Sequence, residues 1–224
     1  MKYKNIKNGI FVSRPNRFIA NVIINGKEEV CHVKNTGRCK ELLIPGSVVI
    51  LEESKNPLRK TKYDLIAVYK GKRLINIDSL APNKVFGEWA DKYFKNVSLI
   101  KSEVKFKNSR FDFYIEADGE KIFAEIKGVT LEKDGVVLFP DAPTQRGVKH
   151  INELCEAVKQ GYGAYIFFVV QMDNVKYFTP NKETHKAFAD ALKKADKKGV
   201  KIKCFNCIVK ENELFIKDEV KVML

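Results

Sequence analysis

Short stretches of alternating and branched apolar residues dominate the first third of the chain. They lie between Phe11 and Leu80, and turn-forming pairs such as Asn25-Gly26 and Pro45-Gly46 separate them. The five stretches read RFIANVII, EEVCHVK, SVVILEE, YDLIAVYK and RLINIDS. Short strands spaced about ten residues apart are typical of a small barrel. We therefore predict an OB-like β-barrel, with an SH3-like barrel as the alternative that periodicity leaves open. NTGRCKELL is predicted to form a turn and a short helix.

The pattern changes after LAPNK, and in the second of the helices predicted beyond it apolar residues recur every three or four positions, as in amphipathic helices. Helices are predicted over residues 84–95, 144–160 and 184–198. The apolar positions of the first helix are Val85, Trp89 and Phe94. The predicted buried stripe of the second helix is Val148, Ile151, Cys155 and Val158. The residues of that helix that lie away from the stripe are Arg146, Lys149, His150 and Glu153.

The continuously apolar stretch GAYIFFVVQ predicts a central strand, because both faces of such a strand are buried. The strand-like segment SLIKSEVKF and the hairpin-like segment RFDFYIEADGEKIFAEIK come before it, and EKDGVVLFPDAP is predicted to be a loop. One or two further strands are expected after the last helix. The fold class is thus α/β with a β-barrel: an OB-like barrel and then an α/β domain with a mixed central sheet. A boundary near Pro82 divides the chain into domains of residues 1–81 and 82–224.

A tight turn at Asp118-Gly119 sets the register of the hairpin, because this dipeptide supplies the two positive φ angles of a type I′ turn. The register places Asp112 opposite Glu125 and Arg110 opposite Lys127. The alternate residues are predicted to form a single core face, consisting of Phe111, Phe113, Ile115, Ile122, Ala124 and Ile126. The four charged residues then share the other face.

The opposed carboxylates of Asp112 and Glu125 allow two interpretations. They could belong to the solvated side of a half-buried sheet. However, like charges directly opposite each other destabilise a sheet unless a cation lies between them. Mg²⁺ or Mn²⁺ prefers carboxylate oxygens, and Lys127 adds an ammonium group on the same face. We therefore predict a metal site at Asp112 and Glu125, with Lys127 as a catalytic partner.

Glu103 is a further acidic candidate for this site. It lies in the strand-like segment before the hairpin. An even-length loop near residues 107–109 would place Glu103 on the same face as Asp112, whereas an odd-length loop would turn it into the core.

The charge balance favours an anionic partner. The formal net charge is +13, and residues 1–81 hold 16 Lys and Arg against 7 Asp and Glu, so most of the excess lies in the predicted barrel. No apolar run is long enough to cross a bilayer, and we expect a cytoplasmic protein with no membrane partner. Five cysteines agree with a reducing compartment. The pair Cys204 and Cys207 has no second ligand pair for zinc, so both are expected in a strand core.

The order helix, three antiparallel strands, helix and central strand resembles the core of the PD-(D/E)xK nucleases. Their Asp and Glu-x-Lys correspond to Asp112, Glu125 and Lys127. Phe111 stands where the motif has its proline, so the similarity depends on the hairpin register and the following helix. The resemblance implies a PD-(D/E)xK nuclease-like α/β domain with metal-dependent chemistry.

Five blocks of sequence resemble the sugar fermentation stimulation protein A family over nearly the whole chain. In order, they are RPNRFIANV, HVKNTGRCKELLIPG, SRFDFYIE, AEIKGVTLE and FPDAPTQRGVKHINEL. The resemblance implies an OB-like amino-terminal domain, a PD-(D/E)xK-like carboxy-terminal domain and non-specific DNA binding. It also implies a regulatory role in sugar metabolism.

Two functions follow from these observations. In the first, the protein is a DNA nuclease: Asp112 and Glu125 hold the metal, Lys127 orients water or stabilises phosphate charge, and Glu103 is a further ligand. Arg146 and His150 are candidate phosphate contacts, although His150 can equally be structural. In the second, the protein binds DNA without cleaving it.

The basic barrel supports DNA binding in either case. The candidate phosphate contacts on the barrel are Arg14, Arg17, Lys34, Arg38 and Lys40. Phe18 and His32 lie near them in the sequence and could stack on bases. A merely solvated basic surface is the alternative, and RNA is a less favoured ligand than DNA.

Overall fold

The computed structural model describes all 224 residues, and its first part is a closed barrel. The strands of this part are β1 (Ile6–Asn16), β2 (Ile19–Ile24), β3 (Lys27–Val33), β4 (Val48–Glu53), β5 (Tyr63–Lys70) and β6 (Arg73–Asn76). The sheet order is β3-β2-β1-β4-β5-β6, and β3 also pairs with β5. This extra pairing closes β1, β2, β3, β5 and β4 into a five-stranded ring, which confirms the OB-like barrel.

The first barrel strand was missing from the sequence-based prediction. Strand β1 contains Asn, Gly, Ser and Pro, which obscure its alternation, and its pairing with β2 shifts register twice. Strand β6, predicted to be a barrel strand, pairs only with β5 and lies outside the ring. The predicted helix in NTGRCKELL is also wrong. Cys39 has a φ of +46°, which no α-helix accommodates, and only turns follow it.

The second part is an α/β domain. Its helices are α1 (Ala81–Gly87), α2 (Ala90–Tyr93), α3 (Gln145–Lys159) and α4 (Lys182–Lys197). The strands of its main sheet are β7 (Val97–Phe106), β8 (Ser109–Ala117), β9 (Glu120–Val129), β12 (Gly163–Val170), β14 (Lys201–Lys210) and β15 (Glu213–Glu219). A small sheet consists of β10 (Leu131–Lys133), β11 (Val136–Phe139) and β13 (Tyr177–Pro180).

The main sheet is mixed and has the order β15-β14-β12-β9-β8-β7. Strand β12 is parallel to both β9 and β14, whereas the outer pairs are antiparallel. The central position predicted for GAYIFFVVQ is confirmed. The elements α1, β7 to β9, α3 and β12 also follow one another in the predicted order.

Two predicted elements of this domain differ from the structure. The single helix predicted over 84–95 is divided into α1 and α2, and Trp89 occupies the junction. The predicted loop EKDGVVLFPDAP contains the antiparallel pair β10 and β11. Its Asp134-Gly135 turn has positive φ at both residues, which suits a hairpin.

Both faces of the main sheet are covered. One face packs on α1 and α2, where Phe86 lies 5.0 Å from Phe113 and 4.7 Å from Phe167 between ring centroids. The other face packs on α3 and α4 and belongs to a cluster of 37 buried residues that also includes the barrel interior. The two parts of the chain therefore share one core, and the division at residue 81 stays a prediction.

Cys204 and Cys207 are buried in β14 as free thiols, as predicted from their apolar surroundings. Burial raises the pKa of Cys207 to about 12, so its thiol is protonated at neutral pH. No helix of the structure combines the length and the apolar character needed to span a membrane.

Candidate active site

The turn between β8 and β9 has the predicted geometry. Asp118 and Gly119 have φ angles of +50° and +77°, and Ala117 pairs with Glu120 across the turn. The predicted register continues from there to the pair Phe113 and Ala124.

The two strands separate beyond the pair Phe113 and Ala124, so the predicted pairings of Asp112 with Glu125 and of Arg110 with Lys127 do not form. The Asp112 carboxylate accepts a hydrogen bond from the Ile126 backbone N–H at 2.7 Å, so a side chain replaces a carbonyl as the acceptor. Its other oxygen accepts from the Asn83 side-chain amide of α1 at 2.8 Å. No sequence pattern indicated Asn83 as a partner.

The separation of the strands changes the predicted core face at one residue. Phe111 packs near Phe106 and Phe123, at 5.9 Å and 5.4 Å between ring centroids, on the α3 side of the sheet. The other five predicted core residues lie on the α1 side, namely Phe113, Ile115, Ile122, Ala124 and Ile126. The prediction of a single core face was therefore wrong for Phe111. The regular pairing of β8 with β9 extends only from the turn to the pair Phe113 and Ala124, and Phe111 lies beyond it.

Glu125 is the most deeply buried charged residue of the site, with 2% of its surface exposed. Its Oε1 accepts hydrogen bonds from Lys127 Nζ and from His150 Nδ1. Its Oε2 is buried and has no hydrogen-bond partner. A buried carboxylate oxygen without a partner is costly, so this atom is the one that a further ligand would stabilise.

The two carboxyl groups have pKa values that are shifted in opposite directions. Burial raises the pKa of Asp112 above its ordinary value, and the negative charge of Glu125 adds to that rise. Burial also acts to raise the pKa of Glu125. The hydrogen bond from His150 and the positive charge of Lys127 outweigh that effect and hold the pKa of Glu125 below its usual range. Glu125 is therefore ionised at neutral pH.

Helix α3 presents His150 to this carboxylate. The predicted buried stripe was rotated, because the inward positions include Gly147 and His150 and extend through Leu154. Val148 and Val158 are only partly buried, and His150, predicted to lie away from the stripe, is 5% exposed. If Gly and His are counted among the inward residues, the sequence shows the helical spacing of three and four residues at Gly147, His150 and Leu154.

Arg146 and His150 are adjacent on α3. Arg146 is exposed, and its Nε lies 3.4 Å from His150 Nε2. Both ring nitrogens of His150 are therefore occupied, one by Glu125 and one by Arg146. The phosphate contacts of Arg146 and His150 stay predictions.

Glu103 lies across from Asp112, between the pairs Ser102–Phe113 and Val104–Phe111. The loop of residues 107 and 108 has even length, as the placement on the same face requires. The Glu103 side chain is 56% exposed, has a φ of +58° and pairs with Arg110 at 2.9 Å. Its role as a ligand stays a prediction, because that carboxylate already has a cationic partner.

A divalent metal fits the chemistry of this donor set. Asp112 and Glu125 supply carboxylate oxygens, and the Oε2 atom of Glu125 is unsatisfied. The structure contains no group of three or more His, Cys, Asp or Glu side chains arranged to hold a metal ion. Asp112 and Glu125 would hold such a metal, and water or phosphate oxygens would supply its remaining ligands.

Arg14 has a structural position in the barrel loop. Its guanidinium donates to the backbone carbonyls of Asn35, Gly37, Arg38 and Arg17 at 2.6 to 2.9 Å. All the donors on Nη1 and Nη2 are thus used within the protein. Its predicted contact with phosphate stays a prediction.

The other predicted barrel cations separate into two groups. Arg17, Arg38 and Lys40 are exposed and line a cavity of about 260 Å³ with Arg14. Phe18, beside Arg17, is 54% exposed, as a base-stacking residue requires. Lys34, in contrast, pairs with Asp64 at 3.3 Å and with two other carboxylates.

Asp64, in strand β5 of the barrel, is surrounded by basic side chains. Arg59 binds it through two nitrogens at 2.6 and 2.9 Å, and His32 Nδ1 lies 2.9 Å from its Oδ1. Burial alone would raise the pKa of Asp64, but these hydrogen bonds and the charge of Lys34 lower it to about 2. His32 is therefore directed towards this carboxylate.

A cavity of about 640 Å³ lies away from the carboxylates, between the β5–β6 and β14–β15 turns. Its cations Lys70 and Arg73 are paired with Glu132. Glu132 thus neutralises these two cations, and the candidate active site is the region around Glu125.

The comparisons with known proteins cover both parts of the chain. Residues 12–77 match the SfsA N-terminal OB domain, and residues 80–213 match the sugar fermentation stimulation protein RE domain. A sugar fermentation stimulation protein homolog from Desulfitobacterium hafniense is 62% identical, with 100% of this chain and 99% of that protein covered. A homolog from Ruminiclostridium cellulolyticum is 58% identical, with 100% of both covered.

A solved structure is similar over the same length. It is the structure of SfsA from Pyrococcus furiosus in complex with Ca²⁺, with a TM-score of 0.90 and 29% identity. The similarity covers 100% of this chain and 98% of that one. Two family models, full-length relatives and a full-length structural match agree: the chain belongs to the sugar fermentation stimulation protein family.

Proposed function

We propose that this protein is a metal-dependent DNA phosphodiesterase, that is, a nuclease. The observation that carries the proposal is the buried and unpartnered Oε2 of Glu125. The second carboxylate, Asp112, has a raised pKa because it is buried and lies near Glu125. A cation between the two groups would satisfy the oxygen and remove the repulsion.

Asp112 and Glu125 are the proposed ligands of Mg²⁺ or Mn²⁺. Such a metal polarises the scissile phosphate and lowers the pKa of the attacking water. Lys127 holds Glu125 through Oε1 and carries a positive charge beside the reacting phosphate. His150 fixes the same oxygen from α3, which leaves Oε2 directed away from both donors. The Ca²⁺ complex of the Pyrococcus relative supports a site for a hard divalent cation.

DNA is the proposed polymer because exposed cations lie on the barrel. Arg17, Arg38 and Lys40 surround one cavity and can bind successive phosphates without reading base sequence. OB domains bind nucleic acids through such surfaces. RNA offers the same phosphates, so it is the alternative ligand, and we favour DNA over it.

A cleavage assay tests the proposal. Purified protein is incubated with single-stranded, duplex and branched DNA in Mg²⁺, in Mn²⁺ and in EDTA, and the products are resolved by length. We expect cleavage only with a metal, and loss of at least about 100-fold in rate for Lys127→Ala. Metal-dependent cleavage by Asp112→Asn at the wild-type rate would contradict the assignment of the site.

A non-catalytic DNA-binding protein with a regulatory role in sugar metabolism is the second candidate. One observation favours it: no third acidic, His or Cys ligand is arranged around the two carboxylates. The same assay separates the two functions, because this candidate predicts DNA binding without products on any of the three substrates.

A further inference from the structure

A cleft at the junction of the barrel and the α/β domain extends from the basic loop to residues that neighbour the candidate active site in the sequence. It has a volume of about 350 Å³, and we call it the seam cleft. Arg17 and Gly37 line both the seam cleft and the basic cavity on the barrel. It is also lined by Gly128, which follows Lys127 in β9, and by Thr144, which caps the helix that carries His150.

Five further residues with uncharged polar side chains line the seam cleft beside several apolar ones. They are Asn35, Thr36, Ser79, Thr130 and Gln171. Arg17 and Asp141 are the only charged residues of its lining. Phosphates prefer cations, whereas bases and sugars accept neutral hydrogen-bonding partners. The lining therefore suits the bases and sugars of a strand whose phosphates contact Arg17 and the other exposed cations of the barrel.

Gln171 is a fixed acceptor in this lining. It is 2% exposed, and its amide nitrogen donates to Asn76 Oδ1 at 2.7 Å and to the Asp78 carbonyl at 3.0 Å. Both partners are acceptors, so the amide cannot be reversed, and its Oε1 receives no hydrogen bond within the protein. A Cβ at Gly128 would lie 2.6 Å from this oxygen. Glycine thus leaves room for an acceptor directed into the cleft beside the active site.

The seam cleft matches the size of one nucleotide better than that of a base pair with both of its strands. A volume of about 350 Å³ is that of a pocket for one small molecule, and a nucleotide is a ligand of that class. We propose that the seam cleft binds one unpaired DNA strand, so that the carboxylate site acts on single-stranded or frayed DNA. The inference rests on the proposed function for the nature of the polymer.

Binding without metal tests this inference separately from cleavage. Fluorescence anisotropy in EDTA compares a labelled single strand with the corresponding duplex. The variants Thr130→Trp and Thr36→Trp fill the seam cleft, and Ser102→Trp on edge strand β7 is the matched control. Thr36 is exposed, so its substitution decides the outcome if Thr130→Trp unfolds.

We expect wild type to bind the single strand more tightly than the duplex. Both cleft variants should weaken single-strand binding about tenfold, the scale of one lost base contact, with duplex binding and Ser102→Trp unchanged. Three results would overturn the inference: tighter duplex binding by wild type, unchanged single-strand binding by the folded cleft variants, or a parallel loss for both DNA forms. An absence of cleavage by wild type would contradict the nuclease proposal but not a positive binding result.

Discussion

The two oxygens of the Glu125 carboxylate have different environments. Oε1 is held by a lysine and a histidine, whereas Oε2 is buried without a partner. Such an arrangement fixes the carboxylate in one orientation before any ligand binds. Preorganisation of this kind increases affinity because less conformational freedom is lost on binding.

Asp112→Asn tests the pairing of the two carboxylates. Without metal, the variant loses one of two neighbouring negative charges, but its amide oxygen can accept only one of the two hydrogen bonds that Ile126 and Asn83 donate to Asp112. The two effects oppose each other, so the test is the metal-dependent change in Tm. In wild type, Mn²⁺ at about 100 times its Kd should stabilise the folded state by about 2.7 kcal/mol. That gain corresponds to roughly 5 °C or more in Tm for a chain of this size. The Asn variant should lose the gain in a thermal melt.

Asp91→Asn is the matched control for this measurement, because Asp91 is exposed on α2 and makes no ion pair. Its metal-dependent increase in Tm should equal that of wild type. An undiminished increase in Asp112→Asn would show that the cation binds elsewhere.

His150→Ala tests the positioning of Glu125 from α3. The variant removes the hydrogen bond to Oε1 and should weaken Mn²⁺ binding about 10- to 100-fold in calorimetry. His150→Asn places an amide donor near the position of Nδ1 and should recover part of the affinity. Asn152→Ala, on an exposed position of the same helix, is the control. Equal affinities for wild type and His150→Ala would limit His150 to a packing role.

At the scale of elements, the barrel loop of residues 35–38 depends on Arg14. Arg14→Ala removes four charge-assisted hydrogen bonds to carbonyls and should destabilise the protein by roughly 3 kcal/mol. Arg17→Ala removes an exposed cation and should weaken DNA binding with a change of less than about 0.5 kcal/mol in stability. Chemical denaturation and anisotropy measure the two effects. Equal stability of the two variants would contradict the structural role of Arg14.

The ion pairs of Asp64 in the barrel predict that the stability of the fold depends on pH. The pKa of Asp64 is about 2 in the folded protein and 3.8 in a model peptide, so its ion pairs stabilise the fold above pH 3.8. That contribution, about 2 kcal/mol, is lost as the pH falls towards 2. The stability difference between wild type and Asp64→Asn should therefore shrink between pH 5 and pH 2.5 in urea titrations. A constant difference would contradict the lowered pKa.

Local chemistry explains which elements were predictable. The Asp118-Gly119 turn and the β12 apolar run carry their signal in adjacent residues, so both were found. Where the hairpin strands separate, Asp112 accepts a hydrogen bond from Asn83, which lies 29 residues away in the chain, and no local pattern encodes that contact. His150 was placed on the wrong side of α3 because a polar residue can face inward when a buried carboxylate receives it.

At the scale of the whole molecule, one hydrophobic cluster connects the two parts of the chain. It includes Phe11 and Leu65 of the barrel together with Phe168 and Leu192 of the α/β domain. Hydrogen bonds from Asn76 and Tyr3 of the first part to residues of the second reinforce the contact. The parts resemble two domains by sequence and one folding unit by packing.

Calorimetry can test this shared core. Heating should unfold the full chain in a single transition, with a van't Hoff enthalpy close to the calorimetric enthalpy. Two transitions of comparable size, separated in temperature, would contradict the shared core and support independent domains at the residue 81 boundary.

The shared core also limits how this family can evolve by recombination. A chimera that joins the barrel of one relative to the α/β domain of another would bring together two half-cores selected in different partners. Cores tolerate changes in volume poorly. The core of such a chimera would therefore contain packing defects where the two halves meet. The D. hafniense and R. cellulolyticum homologs match this chain from end to end, as expected for halves that are inherited together.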